Sequence, residues 1–96
     1  MKTIVINLKK REDRLASFKT CHPDLNFEVF NAVDGGQIHY GGLLSQGFDV
    51  CHDWIDPLLN TRLTKGEVGC FLSHWSIWQK CIERNEKVLI LEDDAR

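Results

Sequence analysis

Short apolar runs and charged segments alternate along the first third of the chain. Thr3–Leu8 is almost continuously apolar and β-branched, which is typical of a strand buried on both faces of a parallel sheet. Arg11–Lys19 carries apolar residues at helical spacing among charged ones and predicts a short amphipathic helix. Phe27–Phe30 alternates and predicts a second strand before a turn at Asp34–Gly36. The first third is therefore a β-α-β unit.

An irregular stretch and the clearest helical pattern follow. Gly35–Asn60 lacks sustained periodicity and predicts a long irregular loop. Thr64 stands three residues before Glu67, the spacing of a capping box that begins a helix. Apolar residues then recur at steps of three and four as far as about Asn85, namely Val68, Phe71, Leu72, Trp75, Trp78 and Ile82. Val88–Leu91 predicts another central strand. The fold class is α/β, with a mostly parallel sheet and flanking helices.

Composition narrows the class of protein. The 96 residues suffice for one small domain. A net charge of −2 with both signs interspersed provides no basic face for nucleic acid. No apolar run approaches the roughly 18 residues of a membrane span, and the early strand leaves no room for a signal peptide. The four cysteines lack the tight pairs of zinc sites and predict reduced thiols in the cytoplasm.

Three consecutive acids, Glu92, Asp93 and Asp94, follow the last predicted strand. Ligands of open α/β sheets bind at the carboxyl ends of strands, where this acidic triplet would lie. Alternation along an extended chain would direct Glu92 and Asp94 to one side and Asp93 to the other. Converging carboxylates repel unless a divalent cation lies between them, and Mg²⁺ or Mn²⁺ completes its shell with substrate phosphates. The triplet therefore predicts a nucleotide diphosphate site, although a solvated acidic run is the alternative.

Other polar residues have a functional and a structural interpretation. Asn7 and Leu8 end the first strand, and four basic residues follow: Lys9, Lys10, Arg11 and Arg14. This segment could bind the base, ribose or phosphate of a nucleotide, or its basic residues could form only a solvated helix face. Cys70 and His74 lie one helical turn apart and could chelate a metal, but no further sulfur or imidazole is near in sequence, which favours packing and hydrogen bonding. The spacing of Trp75 and Trp78 favours core packing over base stacking.

Several ordered motifs together resemble glycosyltransferase family 25. They are Ile6–Arg14, Phe30–Gly35, Leu63–Cys70, Leu72–His74, Trp78 and Leu89–Ala95. That family includes bacterial lipopolysaccharide and lipooligosaccharide sugar transferases and procollagen galactosyltransferases. The resemblance covers most of the chain and is weakest across Gly36–Asn60.

The resemblance implies a GT-A-like, Rossmann-like nucleotide-sugar fold, with residues 1–96 as its N-terminal donor-binding part. It implies transfer of a hexose, galactose or glucose, from a UDP-sugar to a glycan, a lipid-linked saccharide or a hydroxylated acceptor. Mn²⁺ or Mg²⁺ would bind Asp94 directly, and Glu92 would be a second ligand or face the ribose. Asp93 would contribute to the donor site by contacting the groups that surround the direct ligands. Further donor contacts would come from Asn7, Leu8, Arg11, Arg14 and Asp34.

Alternatives to this function concern the catalytic machinery. Family members continue well beyond the acidic motif, so the general base and the acceptor pocket are expected beyond Arg96. A truncated, inactive relative that acts as an interaction module is one alternative. A phosphotransferase is another, which the absence of a glycine-rich phosphate loop after the first strand disfavours. The sequence leaves the oligomeric state open, including a homo-oligomer.

Overall fold

A computed structural model describes all residues, 1–96. In chain order the elements are β1 (Lys2–Asn7), α1 (Glu12–Cys21), β2 (Glu28–Asn31), a turn of 3₁₀ helix (Gly35–Gln37), α2 (Tyr40–Ser45), α3 (Lys65–Arg84) and β3 (Val88–Glu92). The predicted α/β class is confirmed. None of the helices combines the length and apolar character that crossing a membrane requires.

The sheet has three parallel strands in the order β2-β1-β3. Central β1 pairs on both sides, and Val5 lies opposite Val29 of β2 and Leu91 of β3. Val5 is fully buried, as its β-branched run predicts. Because the strands are parallel, the carboxyl ends of β1 and β3 meet at one edge, where Ile6 is the partner of Glu92. The acidic triplet therefore lies beside the loop that follows β1.

Helix α3 begins and ends where its sequence predicts. The Thr64 hydroxyl accepts a hydrogen bond from the Glu67 amide at 3.1 Å, and the Glu67 carboxylate accepts one from the Thr64 amide at 3.1 Å. Together they complete the predicted capping box. Asn85 ends the helix in the left-handed conformation, with φ of 48°.

The predicted apolar stripe of α3 is partly wrong. Phe71, Trp78 and Ile82 are exposed, whereas Ile77 is buried. The inward face is Val68, Gly69, Leu72, Ser73 and Ile77. Small residues face inward because the backbone after β2 approaches the helix closely: the Ser73 hydroxyl accepts a hydrogen bond from the Val33 amide at 2.8 Å. Trp75 is half-buried and packs edge-on against Phe48 with ring centroids 4.9 Å apart.

The predicted irregular loop over Gly35–Asn60 is also partly wrong. It contains the 3₁₀ turn and the two-turn helix α2. Ile38 and Leu43 of this segment are buried against Val68 and Leu72 of α3. Burial in tertiary contacts stabilises these turns, although their own sequence shows no helical period.

Gly69 lies where α3 touches the segment after β2. A Cβ atom at this position would stand 2.7 Å from the carbonyl oxygen of Val33. We therefore expect Gly69→Ala to destabilise the fold by about 1–3 kcal/mol, because backbone on both sides must move. Urea unfolding of the two proteins measures the difference.

Gly42→Ala is the matched control, because a Cβ atom at Gly42 meets nothing within 4 Å. Alanine favours helix over glycine by up to about 1 kcal/mol, so this variant should be as stable as the original or slightly more so. Equal unfolding midpoints for Gly69→Ala and the unsubstituted chain would contradict the tight contact.

Candidate functional site

An open cavity of about 220 Å³ lies at the carboxyl edge of the sheet. The ends of β1 and β3, the segment after β2 and the first turns of α3 surround it. Its polar lining comprises Arg11, Arg14, Cys70, Ser73 and the acidic triplet. This is the edge at which parallel α/β sheets bind their ligands.

The acidic triplet does not continue the strand. β3 ends at Glu92, and the Ala95 amide donates to the Glu92 carbonyl oxygen at 3.0 Å, so Asp93 and Asp94 form a turn. All three acids border the same cavity. The expectation that Asp93 would face away from Glu92 and Asp94 is therefore wrong, because alternation holds only while the backbone stays extended.

Asp93 is the anchored member of the triplet. Its side chain is 10% exposed and accepts from Arg14 Nη2 at 2.8 Å. Asn7 Nδ2 donates to the other Asp93 oxygen at 2.9 Å and to the Arg11 carbonyl oxygen at 3.1 Å. Asn7 is buried, so the charge of Asp93 is satisfied by one ion pair and one buried amide. These contacts hold the turn after β3 to the loop after β1.

Asp94 is the least engaged member of the triplet. Its side chain is 67% exposed, and Arg14 Nη2 lies 3.6 Å from its Oδ2. A contact this long and this exposed is weak. The Asp94 carboxylate therefore retains oxygens that can bind a cation at the cavity.

Glu92 is held from the other side, by helix α3. The Cys70 thiol donates to Glu92 Oε1 at 3.1 Å. This hydrogen bond and, to a smaller extent, partial desolvation of the thiol raise the pKa of Cys70 to about 11. The thiol consequently stays protonated at neutral pH while Glu92 is its partner.

Two arginines and the amino end of α3 contribute positive potential to the cavity. Arg14 and Arg11 line it, although the Arg11 guanidinium also makes two 3.0 Å hydrogen bonds to Asp13. Gly66, in the first turn of α3, borders the cavity as well. The amino end of a helix carries partial positive charge. The cavity thus offers a carboxylate for a cation beside cationic groups for an anion.

The structure brings together most of the sequence-predicted site residues. Leu8, Arg11, Arg14 and the triplet line the cavity. Asn7 lies behind it as a support for Asp93. Asp34 is not part of the lining: its carboxylate accepts a hydrogen bond from the Gly36 amide at 2.9 Å and pairs with Lys10 at 3.1 Å. These two contacts, in that order, lower the pKa of Asp34.

Sequence reasoning missed the contribution of α3 to the cavity wall. Cys70 and Ser73 line it, and their spacing of three residues on a helix is the signal that could have placed them on one face. Cys70, His74 and Glu92 each have one potential ligand atom, and these three atoms lie within 4.8 Å of one another. The third member was not visible in sequence because it lies 22 residues after Cys70.

Comparisons with known proteins agree with this architecture. The chain matches the profile described as Glycosyltransferase family 25 (LPS biosynthesis protein) across residues 1–96. It is 38% identical over 95 residues to human Procollagen galactosyltransferase 2. It is 41% identical over 97 residues to human Inactive glycosyltransferase 25 family member 3, and 39% over 95 residues to a Glycosyltransferase 25 family member of Drosophila melanogaster.

These matches cover nearly the whole chain but a small part of each relative. Each spans 96% of this chain, against 15% of the galactosyltransferase and 16% of the other two proteins. The likeness therefore concerns one segment of much longer proteins.

Proposed function

The chain belongs to glycosyltransferase family 25, and we propose that it is the N-terminal donor-binding part of a UDP-sugar-dependent enzyme. The transferred hexose would be galactose or glucose, and the acceptor a glycan, a lipid-linked saccharide or a hydroxylated chain. The observation that carries this proposal is the exposed Asp94 carboxylate at a cavity shared with Arg14 and the amino end of α3. Because the chain belongs to a glycosyltransferase family, the phosphotransferase alternative is not retained.

The acidic triplet fits a hard divalent cation. Mg²⁺ and Mn²⁺ use one or two protein carboxylates and complete their shell with water and phosphate oxygens. Asp94 would be the direct ligand because its oxygens are the least engaged, and Glu92 would offer the oxygen that Cys70 leaves free. When bound, the cation would neutralise charge on the diphosphate as the sugar–oxygen bond breaks.

The remaining groups would orient the donor. Arg14 stands between Asp93 and Asp94, at 2.8 and 3.6 Å, and its free N–H groups suit phosphate oxygens. The amino end of α3, at Gly66, would favour the same negative charge. Asp93 would make no bond to the cation but would fix the position of Arg14 and of the turn that carries Asp94.

Titration of UDP with and without Mn²⁺ tests the proposal, using the longest open reading frame that contains the chain. We expect UDP binding to require the cation and to weaken at least about tenfold in Asp94→Asn, since loss of a ligand should cost no less than loss of its supporting groups. Asp53→Asn is the matched control because Asp53 is an exposed acid outside the cavity. Binding of UDP that ignores both Mn²⁺ and Asp94 would refute the assignment.

A second candidate is a family member that binds the donor without turnover. The observation in its favour is the 41% identity to a human relative named inactive. Release of UDP from UDP-galactose or UDP-glucose in the presence of acceptor separates the two candidates. Metal-dependent UDP binding without any turnover would favour the binding module.

A further inference from the structure

We propose that Cys70, His74 and Glu92 form a second cation site, suited to Zn²⁺, beside the cavity that Cys70 and Glu92 line. Cys70 and His74 lie one turn apart on α3, and Glu92 ends the neighbouring strand β3. Cys70 Sγ is 3.1 Å from Glu92 Oε1 and 3.9 Å from His74 Nδ1. The three ligand atoms lie within 4.8 Å of one another. This site does not depend on the proposed transferase function.

The separations are close to those of a tetrahedral zinc site. Zn–S bonds of about 2.3 Å and Zn–N or Zn–O bonds of about 2.0–2.2 Å place such ligand atoms roughly 3.3–3.6 Å apart. The two contacts of Cys70 Sγ, 3.1 and 3.9 Å, lie on either side of that range. Cys70 and Glu92 are exposed, so small rotations of their side chains can close the site without moving the backbone.

His74 turns Nδ1 toward the turn of α3 that carries Cys70. This nitrogen lies 3.9 Å from Cys70 Sγ and 2.9 Å from the Cys70 carbonyl oxygen. A zinc ion bound at Nδ1 would replace the contact with the carbonyl oxygen, and Nε2 would then carry the ring proton.

The mixed ligand set distinguishes this site from the oxygen ligands of Asp94. Thiolate and imidazole suit Zn²⁺, whereas Mg²⁺ and Mn²⁺ prefer oxygen. Binding would form a Zn–S bond and release the Cys70 thiol proton to solvent. Three protein ligands leave a fourth position open, as in zinc sites that also bind water or a substrate atom. Without zinc, the Cys70 thiol stays protonated and donates a hydrogen bond to Glu92.

Co²⁺ substitution tests the site directly, with the chain reduced and UDP absent. We expect one Co²⁺ per chain, a thiolate-to-cobalt charge-transfer band, the intense visible bands of a tetrahedral ion, and displacement by one equivalent of Zn²⁺. Cys70→Ser should abolish the charge-transfer band. His74→Gln and Glu92→Gln should weaken Zn²⁺ binding at least about tenfold, since even supporting groups of a metal contribute about 10- to 100-fold.

Cys51→Ser and His52→Gln are the matched controls, because they alter an exposed cysteine and histidine outside the cavity. Both should keep the full cobalt spectrum, and circular dichroism should show every variant folded. Zinc affinity unchanged in Cys70→Ser, or a spectrum lost only with Cys51, would overturn the proposal. The measurement contains no nucleotide, so failure of UDP binding would not alter it, and Asp94→Asn should retain the zinc site.

Discussion

Asp93→Asn is expected to weaken Mn²⁺-dependent UDP binding about 10- to 100-fold, the usual cost of losing a group that supports a metal ligand. The carboxylate of Asp93 holds Arg14 at 2.8 Å and Asn7 at 2.9 Å. An amide keeps the shape of the side chain but removes the charge. Arg14 would then turn to its remaining acidic partner, Asp94, now 3.6 Å away. A closer Arg14–Asp94 pair would compete with the cation for the same oxygens.

Calorimetric titration of Mn²⁺ and UDP measures this effect. Adding Arg14→Gln to Asp93→Asn removes the competing guanidinium and should restore part of the Mn²⁺ affinity, a recovery that a purely structural role of Asp93 would not produce. Asp53→Asn again serves as the control for loss of one carboxylate charge. Unchanged UDP and Mn²⁺ affinities in a folded Asp93→Asn protein would show that Asp93 does not position the site.

Phe18→Ala is expected to destabilise the chain by about 3–5 kcal/mol, the usual cost of removing a buried phenyl ring. Phe18 of α1 is 1% exposed. Its ring packs edge-on against Phe27 and tilted against His22, with centroids 5.2 and 4.5 Å apart. Small domains are stable by only about 5–15 kcal/mol, so this substitution removes a large part of the total.

Urea unfolding of Phe18→Ala, followed by circular dichroism, gives the free energy directly. Leu58→Ala is the matched control: Leu58 is 92% exposed, and such a site changes stability by no more than about 0.5 kcal/mol. The substitution should also loosen the cavity edge, because His22 Nε2 contacts the Ala95 carbonyl oxygen at 2.8 Å. Equal midpoints for the two variants would show that Phe18 is not part of the stabilising core.

Local signals predicted most elements of the fold. Continuous β-branched residues marked β1, and the Thr64–Glu67 capping box marked the start of α3. Such features act within a few residues, so the sequence displays them directly. Helix α2 carries no such signal. It forms because Leu43 is buried against α3, and a contact between elements of this kind is not displayed in the local sequence. The buried face of α3 was misassigned because Gly69 and Ser73 face inward through a backbone contact with Val33.

The sequence alone determined the parallel α/β unit and the position of the acidic triplet at the carboxyl end of a strand. Only the tertiary structure decided what each carboxylate contacts. Asp93 accepts a hydrogen bond from Asn7, 86 residues away, and Glu92 accepts one from Cys70, 22 residues away. Asp94 has only a 3.6 Å contact with Arg14. Hydrophobic periodicity indicates which face of a single helix or strand is buried. Contacts between elements depend on strand pairing and on the turn after β3, which no pattern within a single element contains.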